Sequence, residues 1–287
     1  MLLRLATAAV LIPIVVVLVW WAPPIVLAGI AAVVTIFALV EFLNLGERIG
    51  LRGFKLWTYF CSVLVFYAQF SLGRIETHTL AGGISMVRDA AGGTLSIEAA
   101  LLMFLFGCVV LGLITKRPLH DVLPAIAIGS AALLFVVLPF SYIVRLDEIE
   151  PVGRQLVLFT LVLVWAGDML AYFVGKSLGR VPMAPALSPQ KTWEGAMGNV
   201  LASMIVAVLF AKWMQTDVIT LLVIAGIANI AGQAGDLIES AYKRGAAVKD
   251  SGGLLPGHGG MLDRIDSLIL ATPVVWILYQ WLAAHPQ

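Results

Sequence analysis

The chain has 287 residues, of which 61% are hydrophobic and 12% charged, and its mean hydropathy is +0.99. Soluble domains carry about 25% charged residues, so this composition requires lipid around the chain and excludes a water-soluble globule. The formal net charge of +1 gives no reason to invoke nucleic acid as a partner.

A helix that crosses a membrane needs about 20 mostly apolar residues. Nine stretches qualify, at about 5–21, 24–43, 54–72, 98–115, 122–144, 154–175, 196–214, 217–237 and 266–284. They predict an all-α polytopic membrane protein of about nine transmembrane helices, forming a single membrane domain over residues 1–287. Arg4 precedes the first apolar run as in a signal peptide, but no cleavage site follows, so a retained first helix is expected. Trp20-Trp21-Ala22-Pro23-Pro24 ends it, because a proline pair breaks the helix and aromatic rings suit the membrane interface. Cys61 and Cys108 fall in apolar stretches and read as small buried hydrophobes. Tyr279 and Trp281 can anchor the last span at an interface. No repeat and no low-complexity linker divides the chain. Residues 1–150 supply hydrophobic helices without an assigned role, whereas 154–284 carry the polar chemistry.

Lysines and arginines orient such a bundle. With the N-terminus in the cytoplasm and nine alternating spans, thirteen of the eighteen fall inside and five outside: Arg74, Arg88, Arg145, Arg154 and Lys212. The expected arrangement is therefore N-terminus in and C-terminus out. The loops between spans six and seven and between eight and nine then face the cytoplasm, where soluble nucleotides are available.

The densest polar stretch is 232–266, GQAGDLIESAYKRGAAVKDSGGLLPGHGGMLDRID. Asp236 and Glu239 share one helical face by their three-residue spacing, with Lys243 two turns along from Asp236. Asp263 and Asp266 repeat that spacing at the start of the last span. Spans eight and nine are expected to be antiparallel neighbours, so Asp236 and Asp263 could meet at one membrane depth. Facing carboxylates repel unless a cation lies between them, and Mg²⁺ takes one or two carboxylates together with substrate phosphates. Lys243, Arg244, Lys249 and Arg264 supply charge for phosphate groups. Gly252, Gly253, Gly257, Gly259 and Gly260 let backbone N–H groups approach an anion. Such a stretch describes a metal-assisted phosphate-transfer site rather than a solvated loop, since charge near membrane depth is costly without a function.

Residues 240–266 resemble the signature of the phosphatidate cytidylyltransferase (CDP-diglyceride synthase) family. Ser240, Lys243, Arg244, Lys249, Asp250, Pro256, His258, Gly259, Gly260, Asp263, Arg264 and Asp266 fall in register with it. Tyr242 departs mildly, standing where the pattern has an aliphatic residue or Phe. Trp165-Ala166-Gly167-Asp168 with Ala171-Tyr172 is similar to the family's Asp-containing helix. Ser188-Pro189-Gln190-Lys191-Thr192-Trp193-Glu194-Gly195 is similar to its Ser-Pro-Lys-Lys-Thr-Trp-Glu-Gly, with Gln190 replacing one lysine. The resemblance covers roughly 160–270.

That resemblance implies about nine helices, a homodimer, and a polar cavity open to cytoplasm and lipid in the cell (inner) membrane. It implies that CTP and phosphatidic acid are the substrates and that CDP-diacylglycerol and pyrophosphate are the products. It also implies a metal centre, with Asp236 and Asp263 as Mg²⁺ ligands and Asp266 in support, and leaves a second, monovalent cation open. Asp236, Asp263, Asp266 and Lys249 are the expected catalytic groups. Lys243, Arg244, Lys249 and Arg264 would contact phosphates, as would His258, Gly259 and Gly260, and Ser188, Lys191 and Thr192 would form a second polar wall. Asp168 reads equally as a more distant carboxylate of the site or a helix–helix hydrogen bonder, and Glu41 reads as interfacial.

Competing motifs fail on context. Gly175-Lys176-Ser177 lacks the earlier glycine of a P-loop, since Leu170 stands there. Gly175 to Gly179 spells G-x-S-x-G, but at a membrane-helix end rather than a strand-to-helix elbow. The alternative classes are another lipid-phosphate transferase and an ion-coupled transporter using Asp168, Asp236 and Glu239. The charges crowd the cytoplasmic ends rather than the midplane, which disfavours the transporter.

Overall fold

The computed structural model describes residues 2–72, 77–80, 83–86, 95–253 and 259–284. Helix α1 (Leu2–Trp21) stops at the tryptophan pair, and α2 (Pro24–Arg48) begins on Pro24. Proline suits a first helical position because its missing N–H would have no partner there. Helix α3 (Lys55–Leu72) is followed by a small hairpin, β1 (Thr77–Leu80) and β2 (Gly83–Met86). Helix α4 (Ile97–Ile114) starts at Ser96, whose hydroxyl accepts the Ala99 N–H at 3.1 Å. Helix α5 (Leu119–Ala132) passes through a π-helical turn at Leu133–Val137 into α6 (Leu138–Asp147). Pro139 lies just beyond that turn and removes one N–H from the helical ladder, which the wider turn accommodates.

The second half comprises α7 (Gly153–Leu178), α8 (Trp193–Met214), α9 (Val218–Gly245) and α10 (Leu262–Ala284). Between α7 and α8, β3 (Pro182–Ala184) pairs antiparallel with β4 (Ser188–Thr192), Pro182 opposite Thr192 and Ala184 opposite Ser188. The fold is thus not wholly helical. Pro182, Pro185 and Pro189 prevent a helix here, and the site residues Ser188, Lys191 and Thr192 are displayed on a strand.

All nine predicted stretches fall on helices, and 122–144 lies in the bent α5–α6 element. Among the described residues, seven helices are long and apolar enough to cross a membrane: α2, α4, α5–α6, α7, α8, α9 and α10. Helix α3 is more polar because it carries groups that other helices bury, such as Gln69, which donates to Ser141 Oγ at 3.0 Å. The protein is a multi-pass membrane protein. Leu102, Phe106, Val110 and Leu113 of α4 all face outward, a stripe that suits lipid and not water. Leu39, Leu43, Leu156, Phe159, Leu163, Leu221, Ile224 and Ile269 fill the interior.

Helix α7 packs on α8, α8 on α9, and α9 on α10, while α2 and α6 flank α10. At 1.5 Å per residue the 28 residues of α9 span about 42 Å, more than the ~30 Å hydrocarbon core. Its length leaves room for the charged last turn, with Lys243 and Arg244, to lie beyond that core. At this end of the bundle α7 ends, α8 begins, α9 ends and α10 begins.

Candidate active site

The β3–β4 hairpin is tied to the start of α8. Thr192 caps α8 by accepting the Gly195 N–H at 3.1 Å, which satisfies one of the helix's unpaired donors. Glu194 turns back and accepts the N–H groups of Arg180 (3.1 Å) and Val181 (3.3 Å). Lys191 then reaches across to α9 and forms an ion pair with Asp236. Between the hairpin and helices α7, α8 and α9 lies a cavity of about 320 Å³. Asp168, Tyr172, Ser188, Lys191, Asn199 and Asp236 are among its lining residues, with Thr192 and Gln233.

Behind this cavity the helices are joined by a chain of amides, of which Asn199 and Asn229 are buried and Gln233 half-buried. Gln233 Nε2 donates to Asn229 Oδ1 at 2.6 Å, and Asn229 Nδ2 donates to Asn199 Oδ1 at 2.5 Å and to Ser203 Oγ at 2.5 Å. Asn199 Nδ2 in turn donates to Asp168 Oδ1 at 3.3 Å. The chain runs toward Asp168, so its dipoles favour a negative charge there. Gly167 permits this closeness, because a methyl group at that position would overlap the Asn199 amide oxygen.

Helix α10 brings two aspartates into different company. Asp266 accepts the Ser267 N–H at 2.6 Å and lies within electrostatic reach of Asp236, Glu239 and Asp168. Asp263, one turn earlier, accepts from Lys243 Nζ at 2.6 Å, Gly260 N–H at 2.7 Å and Ser251 N–H at 3.1 Å, with the Ser251 hydroxyl oxygen 3.0 Å away. Lys243 also pairs with Glu239, which is only 1% exposed. The result is two adjoining polar clusters, Asp236 with Lys191 and Asp263 with Lys243. A buried carboxylate and its lysine hold each other in place, and removing one would strand the other.

Of the remaining predicted residues, Arg244 donates to Leu187 O at 3.1 Å and Val248 O at 3.2 Å, tying the hairpin's turn to the end of α9. Lys249 and Arg264 are exposed, the latter within electrostatic reach of Asp168. Gly259 adopts φ +79°, a left-handed conformation that favours glycine. His258 lies outside the described residues, as do Pro256 and Gly257. Among the described residues, no group of three or more His, Cys, Asp or Glu side chains comes together to hold a metal ion.

Several participants stand outside the motifs of the sequence. Glu41, read from the sequence as interfacial, is a buried carboxylate, 8% exposed, that reaches the start of α10. Ser251 joins it to Asp263. Asn199, Asn229 and Gln233 were unmarked, yet amides and acids within apolar helices are a signal in themselves.

The cytidylyltransferase family matches residues 2–282. The chain is 39% identical over 151 residues to the phosphatidate cytidylyltransferase of Bacillus subtilis, covering 52% of this chain and 56% of the relative. It is 42% identical over 133 residues to that of Haemophilus influenzae, covering 44% and 46%. With that of Thermotoga maritima it shares 38% identity over 186 residues, covering 62% and 68%. The chain thus spans about half the length of the first two curated relatives it matches.

Proposed function

The chain belongs to the cytidylyltransferase family, and we propose that it transfers the cytidylyl group of CTP to phosphatidate, giving CDP-diacylglycerol and pyrophosphate for phospholipid biosynthesis. The observation that carries this reading is the polar cavity at one end of a lipid-embedded bundle, where Asp168 of α7, Lys191 of β4 and Asp236 of α9 converge, with the Lys243–Asp263 pair of α9 and α10 in the adjoining cluster. Such a site can take a polyanionic nucleotide from water and a phosphate headgroup from the adjoining lipid.

Phosphatidate is already ionised near neutral pH, so its attack on the α-phosphorus of CTP needs no strong base. A P–O bond forms to the lipid phosphate as the bond to pyrophosphate breaks. Catalysis then rests on alignment and on neutralising the phosphates. Lys191 lines the cavity and is the best placed for this, while Lys243, held between Glu239 and Asp263, lies in the adjoining cluster. Arg244, Lys249 and Arg264 add positive charge at the rim, and Ser188 and Thr192 supply hydroxyl groups on the hairpin wall. Asp266 and Asp168 are within electrostatic reach of Asp236.

Metal dependence is part of the proposal. Asp236 and Asp263 are hard oxygen donors of the kind Mg²⁺ takes, and each is paired here with a lysine that an incoming ion would have to displace. Asp236 and Asp263 would hold the ion with Asp266 in support, freeing Lys191 and Lys243 for the phosphates. When bound, the ion would polarise the phosphoryl oxygens and neutralise charge on the departing pyrophosphate. We place the bundle in the cell (inner) membrane with nine spans, N-terminus in and C-terminus out, and the site facing the cytoplasm. The thirteen-to-five lysine and arginine count supports that orientation. A homodimer is the proposed assembly, on the strength of the family resemblance.

The test is pyrophosphate release by the purified protein in lipid or detergent. Release that needs both CTP and phosphatidate, with CDP-diacylglycerol formed in equal amount, is the expected result. Transfer of a terminal phosphate to a lipid alcohol instead would replace this reading with a lipid kinase.

A further inference from the structure

Helix α2 carries a carboxylate inside an apolar run, Ala38-Leu39-Val40-Glu41-Phe42-Leu43. Burying a charge is costly unless it is well bonded, and Glu41 is well bonded. Its Oε1 accepts the Met261 N–H at 2.9 Å, and its Oε2 accepts the Leu262 N–H at 2.9 Å and the Ser251 hydroxyl at 2.8 Å. The two backbone donors belong to the start of α10, where a helix has N–H groups with no partner of their own. A side chain from a distant helix therefore supplies the cap of α10. The Ser251 hydroxyl lies between Glu41 and Asp263, with Asp263 Oδ2 at 3.0 Å. Gly252 and Gly260 line the approach, since a methyl group on either would overlap the Glu41 carboxylate. Phe42, the next residue of α2, packs edge-on against Tyr242 of α9 with ring centroids 5.5 Å apart.

We propose that Glu41 is a positioning residue for the transfer reaction: it fixes the first turn of α10, and with it Asp263 and Asp266, against α9. This rests on the cytidylyl-transfer reading of the site. It also gives the N-terminal half of the chain a role in the chemistry without any contact with substrate. A carboxylate suits the task because both of its oxygens accept. The amide of glutamine has one accepting oxygen, so its NH₂ must face one of the two backbone N–H groups.

The test uses Glu41→Gln and Gly252→Ala in the full-length enzyme, read by kinetics and by amide hydrogen exchange. Gly252→Ala keeps the carboxylate but forces it aside, and it carries the test if Glu41→Gln does not fold. Turnover is expected to fall about 100-fold, as for a small misplacement of reacting groups, with the KM for CTP nearly unchanged. Exchange at Met261 and Leu262 should quicken, while α7 and α8 keep their wild-type protection. Combining Glu41→Gln with Asp263→Asn should be little worse than Asp263→Asn alone, because both act through one turn. Normal turnover in a folded variant overturns the proposal, as does quickened exchange spread evenly over the bundle. If the wild-type enzyme performs no cytidylyl transfer, the function reading fails, and the exchange data still decide whether Glu41 holds α10.

Discussion

Lys243 sits between two carboxylates, Glu239 and Asp263, with its side chain only 12% exposed. Such an arrangement is stable only as a set, because each charge compensates for the burial of another. Asp263 is the most informative residue in it. Asp263→Asn keeps size and much of the hydrogen bonding but removes the negative charge. Were Asp263 only a cap for α10, asparagine would serve nearly as well and activity would survive. In the proposed mechanism turnover instead falls by about two orders of magnitude, comparable to losing a main electrostatic group, and higher Mg²⁺ restores a little. Asp236→Asn should behave alike, and the double variant should be barely worse than either single one. Steady-state kinetics across a Mg²⁺ series checks this, and near-normal turnover with unchanged Mg²⁺ dependence removes both residues from the metal assignment. Lys249 is a different case, since it is exposed. Lys249→Ala should weaken apparent CTP affinity by about fivefold, the modest effect of a solvated charge, and leave expression alone. An unchanged KM for CTP would return it to the solvated surface.

Among the helices, close approach is what gives the side chains their partners. Gly235 of α9 lies against the backbone of α10, so that a Cβ there would stand 2.5 Å from the Asp266 carbonyl oxygen. Small residues of this kind let membrane helices come together without a hydrophobic driving force between them. Gly235→Ala should therefore push α10 away and cost about 1–3 kcal/mol, the range for overpacking a tight contact. Thermal unfolding in detergent measures the loss, and turnover should fall with it because Asp266 moves relative to Asp236. A variant with wild-type stability and turnover would show that this contact does not set the α9–α10 distance. The amide chain from Gln233 to Asp168 acts in the same way on α7, α8 and α9, tying three helices by groups that lipid cannot satisfy.

For the molecule as a whole, the test is topology. A reporter fused after Gln287 should lie outside the cytoplasm, and one inserted in the 176–191 loop should lie inside. A C-terminus found in the cytoplasm would replace the nine-span arrangement, although the chemistry of the cavity would stand. Positions of helices were legible from the amino acids because hydropathy is a local property, and a run of apolar residues is helical in lipid whatever surrounds it. The signature from Ser240 to Asp266 was legible for a related reason, its polar residues being consecutive along one loop and two helix ends. Partnerships were not legible. The three-residue spacing of Asp263 and Asp266 says that they share a face, but not which lysine or carboxylate each one meets. That depends on the axial register and rotation of α10 against α9 and α2, which close contacts such as Gly235 with Asp266 set. Glu41 shows the point most plainly. More than two hundred residues separate it from Met261 and Leu262, and only the packing of α2 beside α10 makes a carboxylate in an apolar run the cap of the helix that carries the site.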